Sequence, residues 1–168
     1  LVLRTNNDIR IVQARNCWHL QDVNRLIFTS GIGEGNFKRL PPGFVVAKLN
    51  NAVIGCARIE MQPGFAVLES VVVEHSYKHK GIGSELIRNR LKYAVRQGRH
   101  TIALCSMYYH FNFYKRRGFH TIPRAKLPDN IRAYPQFVSP RYTKCAVMIG
   151  EFVLRDEPVE WFEGRFVL

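Results

Sequence analysis

The sequence predicts an α/β fold: a mixed, mostly antiparallel central sheet of about six to seven strands flanked by about four helices. Three observations carry that prediction. Three strand-like runs, Phe44–Leu49, Ala52–Met61 and Phe65–Val73, follow one another across short turns. A helical stretch from Gly83 to about Gln97 then leads into another apolar run, Thr101–Ser106, which is the pattern of a strand–helix–strand crossover. A length of 168 residues suits one domain that buries its own core. A single domain over residues 1–168 is expected, with its core over about 9–154 and a tail at 155–168.

The elements read as follows. Ile9–Arg15 alternates as a short strand, and Asn16 is a good cap for a helix reaching about Thr29, with Trp18, Val23, Leu26 and Ile27 as apolar positions. Ser30–Gly35 is a glycine-rich break, and Phe37–Leu40 reads as one more helical turn before Pro41-Pro42-Gly43. Asn50-Asn51 suits a two-residue hairpin turn, and Gln62-Pro63-Gly64 turns the chain again, so the three strands form an antiparallel meander. Val71-Val72-Val73 is too continuously apolar for a solvated edge and belongs at the centre. In the helix after it, Gly83, Ile87, Leu91, Ala94 and Val95 share one face, and Gly98 ends it. An aromatic helix is expected over Phe111–Arg117, then strands at Phe119–Ile122 and Cys145–Leu154, with a helical turn at Asp129–Ala133 inside the loop-like stretch 123–140. Residues 155–168 have no readable place.

A net charge of +12 and a pI near 10 favour an anionic partner. No apolar run approaches the length needed to span a bilayer, so no membrane is expected. Cys17, Cys56, Cys105 and Cys145 lie far apart without a C-x-x-C or a matching His pair, so no metal is expected. Cys56 and Cys105 sit in apolar runs as small core residues. Reduced cysteines point to a reducing compartment, cytoplasmic or an organellar stroma or matrix. The chain opens on Leu1 and reads as a piece of a longer product, which leaves targeting unreadable.

Most of the functional signal lies in Val71–Gly83. A buried strand runs into the basic turn Lys78-His79-Lys80 and then Gly81-Ile82-Gly83 at a helix start. The first turn of a helix offers unpaired N–H groups and the positive end of the dipole, and glycine lets a phosphate approach the backbone. The residues alone therefore predict an anion site; the longer dinucleotide and Walker patterns are absent.

The run from Val71 through Lys78-His79-Lys80-Gly81-Ile82-Gly83-Ser84 to Leu86 resembles the R/Q-x-x-G-x-G/A motif of the GNAT superfamily of N-acetyltransferases. Lys78 stands where Arg or Gln is usual, and His79 where glycine is common. Phe113-Tyr114-Lys115-Arg116-Arg117-Gly118-Phe119 is similar to the family's F-Y-x-x-x-G-F segment. The resemblance implies a GNAT-like acyl-CoA N-acyltransferase fold, acetyl-CoA as co-substrate and direct attack of an amine on its thioester. It implies cofactor contacts from Val71, Val72, Val73, Lys78, His79, Lys80, Gly81, Ile82, Gly83 and Ser84. Asn112 is a further candidate there, although the family's asparagine falls nearer Met107. A looser likeness over Leu127-Pro128, Gln136-Phe137 and Lys144–Met148 suggests the N-acetylglutamate synthase-like branch.

An alkylammonium with a pKa near ~10 must lose a proton before it attacks. Glu69, where many family members place a catalytic glutamate, is the expected base, with Glu60 and Glu34 in reserve; strict alternation would put Glu69 on one face with Val71 and Val73. Backbone N–H groups at Val71–Val73 suit the developing oxyanion if the strand bulges. Tyr114 is the expected acid for the leaving thiolate. The expected acceptor is a small molecule such as an amino acid, with Arg141 or Lys144 to meet a carboxylate; a protein lysine or N-terminal amine is the alternative. A catalytically inactive CoA-binding protein and a basic nucleic-acid-binding module are the rivals from other classes. Basic residues spread along the whole chain argue against nucleic acid. The apolar tail around Trp161, Phe162 and Phe166 allows a homodimer.

Overall fold

In a computed structural model that describes residues 9–168, a mixed sheet has the strand order β1-β2-β3-β4-β5-β7-β6, with β8 beside β7. The strands are β1 Ile9–Gln13, β2 Phe44–Leu49, β3 Ala52–Gln62, β4 Phe65–Val73, β5 Thr101–Ser106, β6 His120–Ile122, β7 Ala146–Val153 and β8 Phe166–Val167. The helices are α1 Asn16–Ser30, α2 Ile82–Arg96, α3 Phe111–Lys115, α4 Asp129–Arg132 and α5 Pro135–Val138. The α/β class and the meander follow the sequence; one more strand than the upper expectation comes from the tail. Two compact units share the described residues, one combining 9–58 with Ser70–Arg90, the other Ile59–Glu69 with Leu91–Leu168.

In the first unit, β1 and β3 flank β2 in antiparallel ladders that run from Ile9↔Leu49 and from Phe44↔Arg58. Asn50 takes φ +54° in the β2–β3 turn, a conformation that asparagine tolerates better than most residues. Val23, Leu26 and Ile27 of α1 pack with Val46, Val53, Cys56 and Val72. Ile82 and Leu86 of α2 pack with Val45, Ile54 and Ala57 and are joined by Val71 and Val73. Gly55 permits close packing, since a Cβ there would lie 2.9 Å from the Val72 carbonyl and 3.1 Å from Leu86.

Two expectations around α1 fail, for one physical reason. Asn16 does not cap the helix; Arg15 is the N-cap residue, and the Asn16 side chain instead accepts the Leu40 N–H at 2.6 Å. Phe37–Leu40 is not helical, because Asn24 accepts the Phe37 N–H at 3.0 Å and donates to the Phe37 carbonyl at 2.9 Å. Side chains of α1 thus take over the hydrogen bonds that a helical turn would have made. The capping role passes to His19, whose Nδ1 accepts the Arg15 N–H at 2.8 Å.

His19 is buried, and its pKa is lowered first by that burial and then by Lys48. In this state the unfolded chain binds the extra proton. The stability held by neutral His19 is therefore complete above its ordinary pKa of ~6.5 and is lost as pH falls through the lower folded value. His19→Gln is expected to flatten that acid loss in a denaturation series from pH 7.5 to 5. An unchanged slope would show that His19 does not couple folding to protons.

In the second unit, β5 lies parallel to β4 and antiparallel to β7, the latter ladder running from Thr101↔Glu151 to Ser106↔Ala146. Phe65, Val67, Ala103, Leu127, Ile131, Phe137, Val147 and Ile149 form its core. Leu127, Ile131 and Phe137 of that core come from the stretch 123–140, which is structured by α4 and α5 rather than loose. α2 ends at Gly98 with φ +78°, the Gly98 N–H on Val95 and the Arg99 N–H on Ala94, as a glycine stop predicts. α3 is shorter than expected, ending at Lys115 before a turn to Gly118. The tail that the sequence left unplaced adds β8 parallel to β7, pairing Phe152↔Phe166 and Val153↔Val167.

Candidate active site

The strand–loop–helix over Val71–Ser84 forms as the sequence implies. After Val73 the chain makes one tight turn at His75–Tyr77, extends at Lys78 and enters the left-handed region at His79 (φ +63°) and Gly81 (φ +80°) before α2 begins at Ile82. The first bond of the helix runs from the Glu85 N–H to the Gly81 carbonyl at 3.1 Å, so the Ile82 and Gly83 amides precede the intrahelical ladder. Lys78, His79, Lys80 and Gly81 are exposed, Gly83 and Ser84 are half-buried, and Ile82 anchors the turn in the core. Lys80 Nζ lies 5.4 Å from the centre of the Tyr77 ring. Arg25 of α1 steadies the loop through Glu74 at 3.4 Å and the Val53 carbonyl at 3.1 Å.

His79 explains why glycine is common at its position: the loop demands positive φ whichever residue stands there. A non-glycine residue in that conformation costs about 1–2 kcal/mol, and a β-branched one suffers most. Thermal melts of the parent, His79→Gly and His79→Val are expected to rank Val lowest, with Gly within a few degrees of the parent because glycine's unfolded-state entropy offsets the relief of strain. A Val variant as stable as the parent would contradict this loop conformation.

The strand before the loop is interrupted at one residue. Ser70 takes φ +53° inside β4, and the β4–β5 ladder consists of Ala66↔Ile102 and Val67↔Ala103. An extra residue shifts the side-chain alternation. Glu69 therefore does not share a face with Val71 and Val73, as strict alternation predicts. Those valines pack with Ile82 and Leu86, whereas Glu69 meets the hydroxyl of Tyr134 at 3.2 Å.

Tyr134 sits between α4 and α5 and also donates to Glu60 Oε2, so it brings together the first-choice base and one of its reserves. Burial, the bond to Glu60 and the charges of Glu69 and Glu60 all raise the phenol's pKa well above its ordinary value. Cys105 of β5 is pushed up to about 12, first by burial and then by Cys145 and Glu69, against the pull of Arg124. Sequence reasoning missed Tyr134 because it read 123–140 as loop. Strand β3 runs one residue further than expected, to Gln62, and the resulting two-residue turn at Pro63-Gly64 makes Glu60 and Glu69 diagonal neighbours on one face.

The remaining candidates fall elsewhere. Tyr114 is half-buried in α3 between Phe113 and Phe119, with ring centroids 5.2 and 5.9 Å away, and burial pushes its phenol up to about 12. Asn112 is exposed on the same helix. Glu34 is exposed and accepts from the Asn36 side chain at 2.7 Å. Arg141 and Lys144 are exposed, and Arg141 lies 5.9 Å from the Tyr142 ring centre. Among the described residues, no group of three or more His, Cys, Asp or Glu side chains is placed to hold a metal ion, and no helix is long and apolar enough to cross a membrane.

A strand broken at Ser70, a basic loop with two left-handed residues and the start of α2 follow one another over 65–84. The acetyltransferase (GNAT) family matches residues 8–119, and the chain belongs to that family of acetyl-CoA-dependent enzymes. It is similar in fold to N-acetylglutamate synthase from Neisseria gonorrhoeae complexed with coenzyme A and L-arginine, with a TM-score of 0.66 and 16% identity over 85% of this chain and 33% of that one. Rv2747 from Mycobacterium tuberculosis, in complex with CoA and NLQ, gives 0.70 and 16% over 86% and 99%. Ard1 from Thermoplasma volcanium gives 0.65 and 16% over 85% and 97%. The chain spans about a third of the N-acetylglutamate synthase that it matches. No sequence among the curated proteins matches it significantly.

Proposed function

We propose that this chain transfers the acetyl group of acetyl-CoA to a primary amine by direct attack in a ternary complex, the acceptor being a small molecule such as an amino acid. The observation that carries the reading is the strand–loop–helix Val71–Ser84, with its two left-handed residues ahead of the helix N-terminus. Lys78, His79 and Lys80 and the amides of Gly81–Ser84 would hold the pyrophosphate, with Val71–Val73 along the pantetheine arm and Asn112 as a further contact. The Val71–Val73 amides beyond the Ser70 bulge would also stabilise the oxyanion. Glu69 would take the amine's proton, and Tyr114 would protonate the leaving thiolate. A phenol raised to about 12 is protonated when the thiolate forms, while the same rise makes it the weaker acid of the pair.

The fold likeness to N-acetylglutamate synthase supports an amino-acid acceptor, and a protein lysine or N-terminal amine is the second reading. Acetyl-CoA consumption with L-glutamate, L-lysine, spermidine and a peptide with a free N-terminus separates the two. CoA binding without CoA release across all four would replace both with a non-catalytic CoA protein. Tyr114→Phe is expected to lower kcat about tenfold or more, with little change in KM for the amine. Full turnover would remove Tyr114 as the acid.

A further inference from the structure

We propose that Tyr134 is a positioning residue that joins Glu60 and Glu69 into one proton-sharing unit: Glu69 takes the acceptor's proton and passes it through the Tyr134 hydroxyl to Glu60. The proposal rests on the reading of Glu69 as base and deepens it. A hydroxyl carries one proton to donate and lone pairs to accept. Here it lies against two carboxylates at once, donating to Glu60 Oε2 and standing 3.2 Å from Glu69 Oε1. Both contacts are favourable together when Glu69 is protonated, because Glu69 then donates to the hydroxyl that donates to Glu60.

The position is held from every side. The Tyr134 ring lies edge-on to Phe65 at 6.2 Å and tilted on Phe137 at 5.2 Å, while its amide bonds the Ile131 carbonyl at 3.0 Å. On β3 the Gln62 amide reaches Glu60 Oε1 at 3.4 Å. On β5 the titratable neighbour is Cys105, a neutral thiol, which itself feels Cys145 and Arg124. Arg124 is fixed by the carbonyls of Phe137 at 3.0 Å and Tyr142 at 2.9 Å.

The transfer balances. The ammonium N–H bond breaks and an O–H bond forms at Glu69 Oε1. That proton then moves to Tyr134 Oη as the phenol's own proton moves to Glu60 Oε2. The phenol ends neutral, in keeping with its raised pKa, and half-buried Glu60 delivers the proton toward water. Without the hydroxyl, the two carboxylates lose the one donor they are seen to share, and the upper apparent pKa of the coupled pair rises.

The test uses the full chain labelled with ¹³C at its glutamate carboxyls, and the fastest acceptor among L-glutamate, L-lysine, spermidine and the peptide. In Tyr134→Phe, the upper carboxyl titration of the pair and the acid limb of kcat/KM should both move to higher pH. Its kcat at pH 7 should fall about tenfold or more with KM for acetyl-CoA unchanged. Glu60→Gln removes the like charge, so its acid limb should move to lower pH while kcat falls. An unmoved carboxyl titration in Tyr134→Phe overturns the shared proton, as does a uniform loss of activity at every pH. Full turnover in Glu69→Gln overturns the base reading itself, and the carboxyl titration then shows whether the pair still shares a proton.

Discussion

Glu69→Gln is expected to lower kcat by about 100-fold or more, the usual scale of a lost general base, with KM for acetyl-CoA unchanged. Glutamine keeps the size of the side chain and its contact with Tyr134, so the loss isolates the proton acceptor from the packing. The residual rate should rise with pH as free amine replaces ammonium in solution. That pH dependence separates a missing base from a damaged fold, which would depress the rate throughout. Turnover equal to the parent at pH 7 would transfer the role to Glu60 or to solvent.

The second large effect concerns stability. Gly118→Ala places a Cβ 2.5 Å from the Phe166 ring at a residue with φ +93°. Left-handed strain adds about 1–2 kcal/mol and overpacking about 1–3 kcal/mol. For a chain of this size the melting temperature should fall by roughly 5–15 °C. Phe166→Ala in the same background should recover the clash but not the backbone strain, so the two substitutions are non-additive. A melt unchanged by Gly118→Ala would mean that β8 does not dock on β7 beside this turn. The same contact gives the glycine of the Phe113–Phe119 segment a structural reason: it clears space for the tail.

Much of the fold was legible because local chemistry and global position agreed. Asn50-Asn51 tolerates the turn it makes, and Gly98 stops α2 as only a residue free to adopt positive φ does readily. The continuous valines of β4 announced a buried strand. Where the reading failed, side chains distant in sequence had taken over backbone partners. Asn16 binds the Leu40 amide 24 residues away, and Asn24 holds Phe37 out of a helix. Neither contact has a local signature, since an asparagine before a helix looks like a cap wherever its partner lies.

The candidate site divides in the same way. The sequence by itself determined a glycine-bearing helix start at Gly81–Gly83 after a strand and, through its resemblance, the acetyltransferase family. These depend on spacing along one strand–loop–helix, which the order of residues specifies directly. Only the tertiary structure decided that Ser70 breaks the alternation of β4. It alone showed that His79 carries a glycine's conformation and that Tyr134 reaches back 65 residues to Glu69. The physical reason is that a bulge, a strained φ and a phenol shared by two carboxylates arise from packing between segments. No local pattern of residue types encodes them.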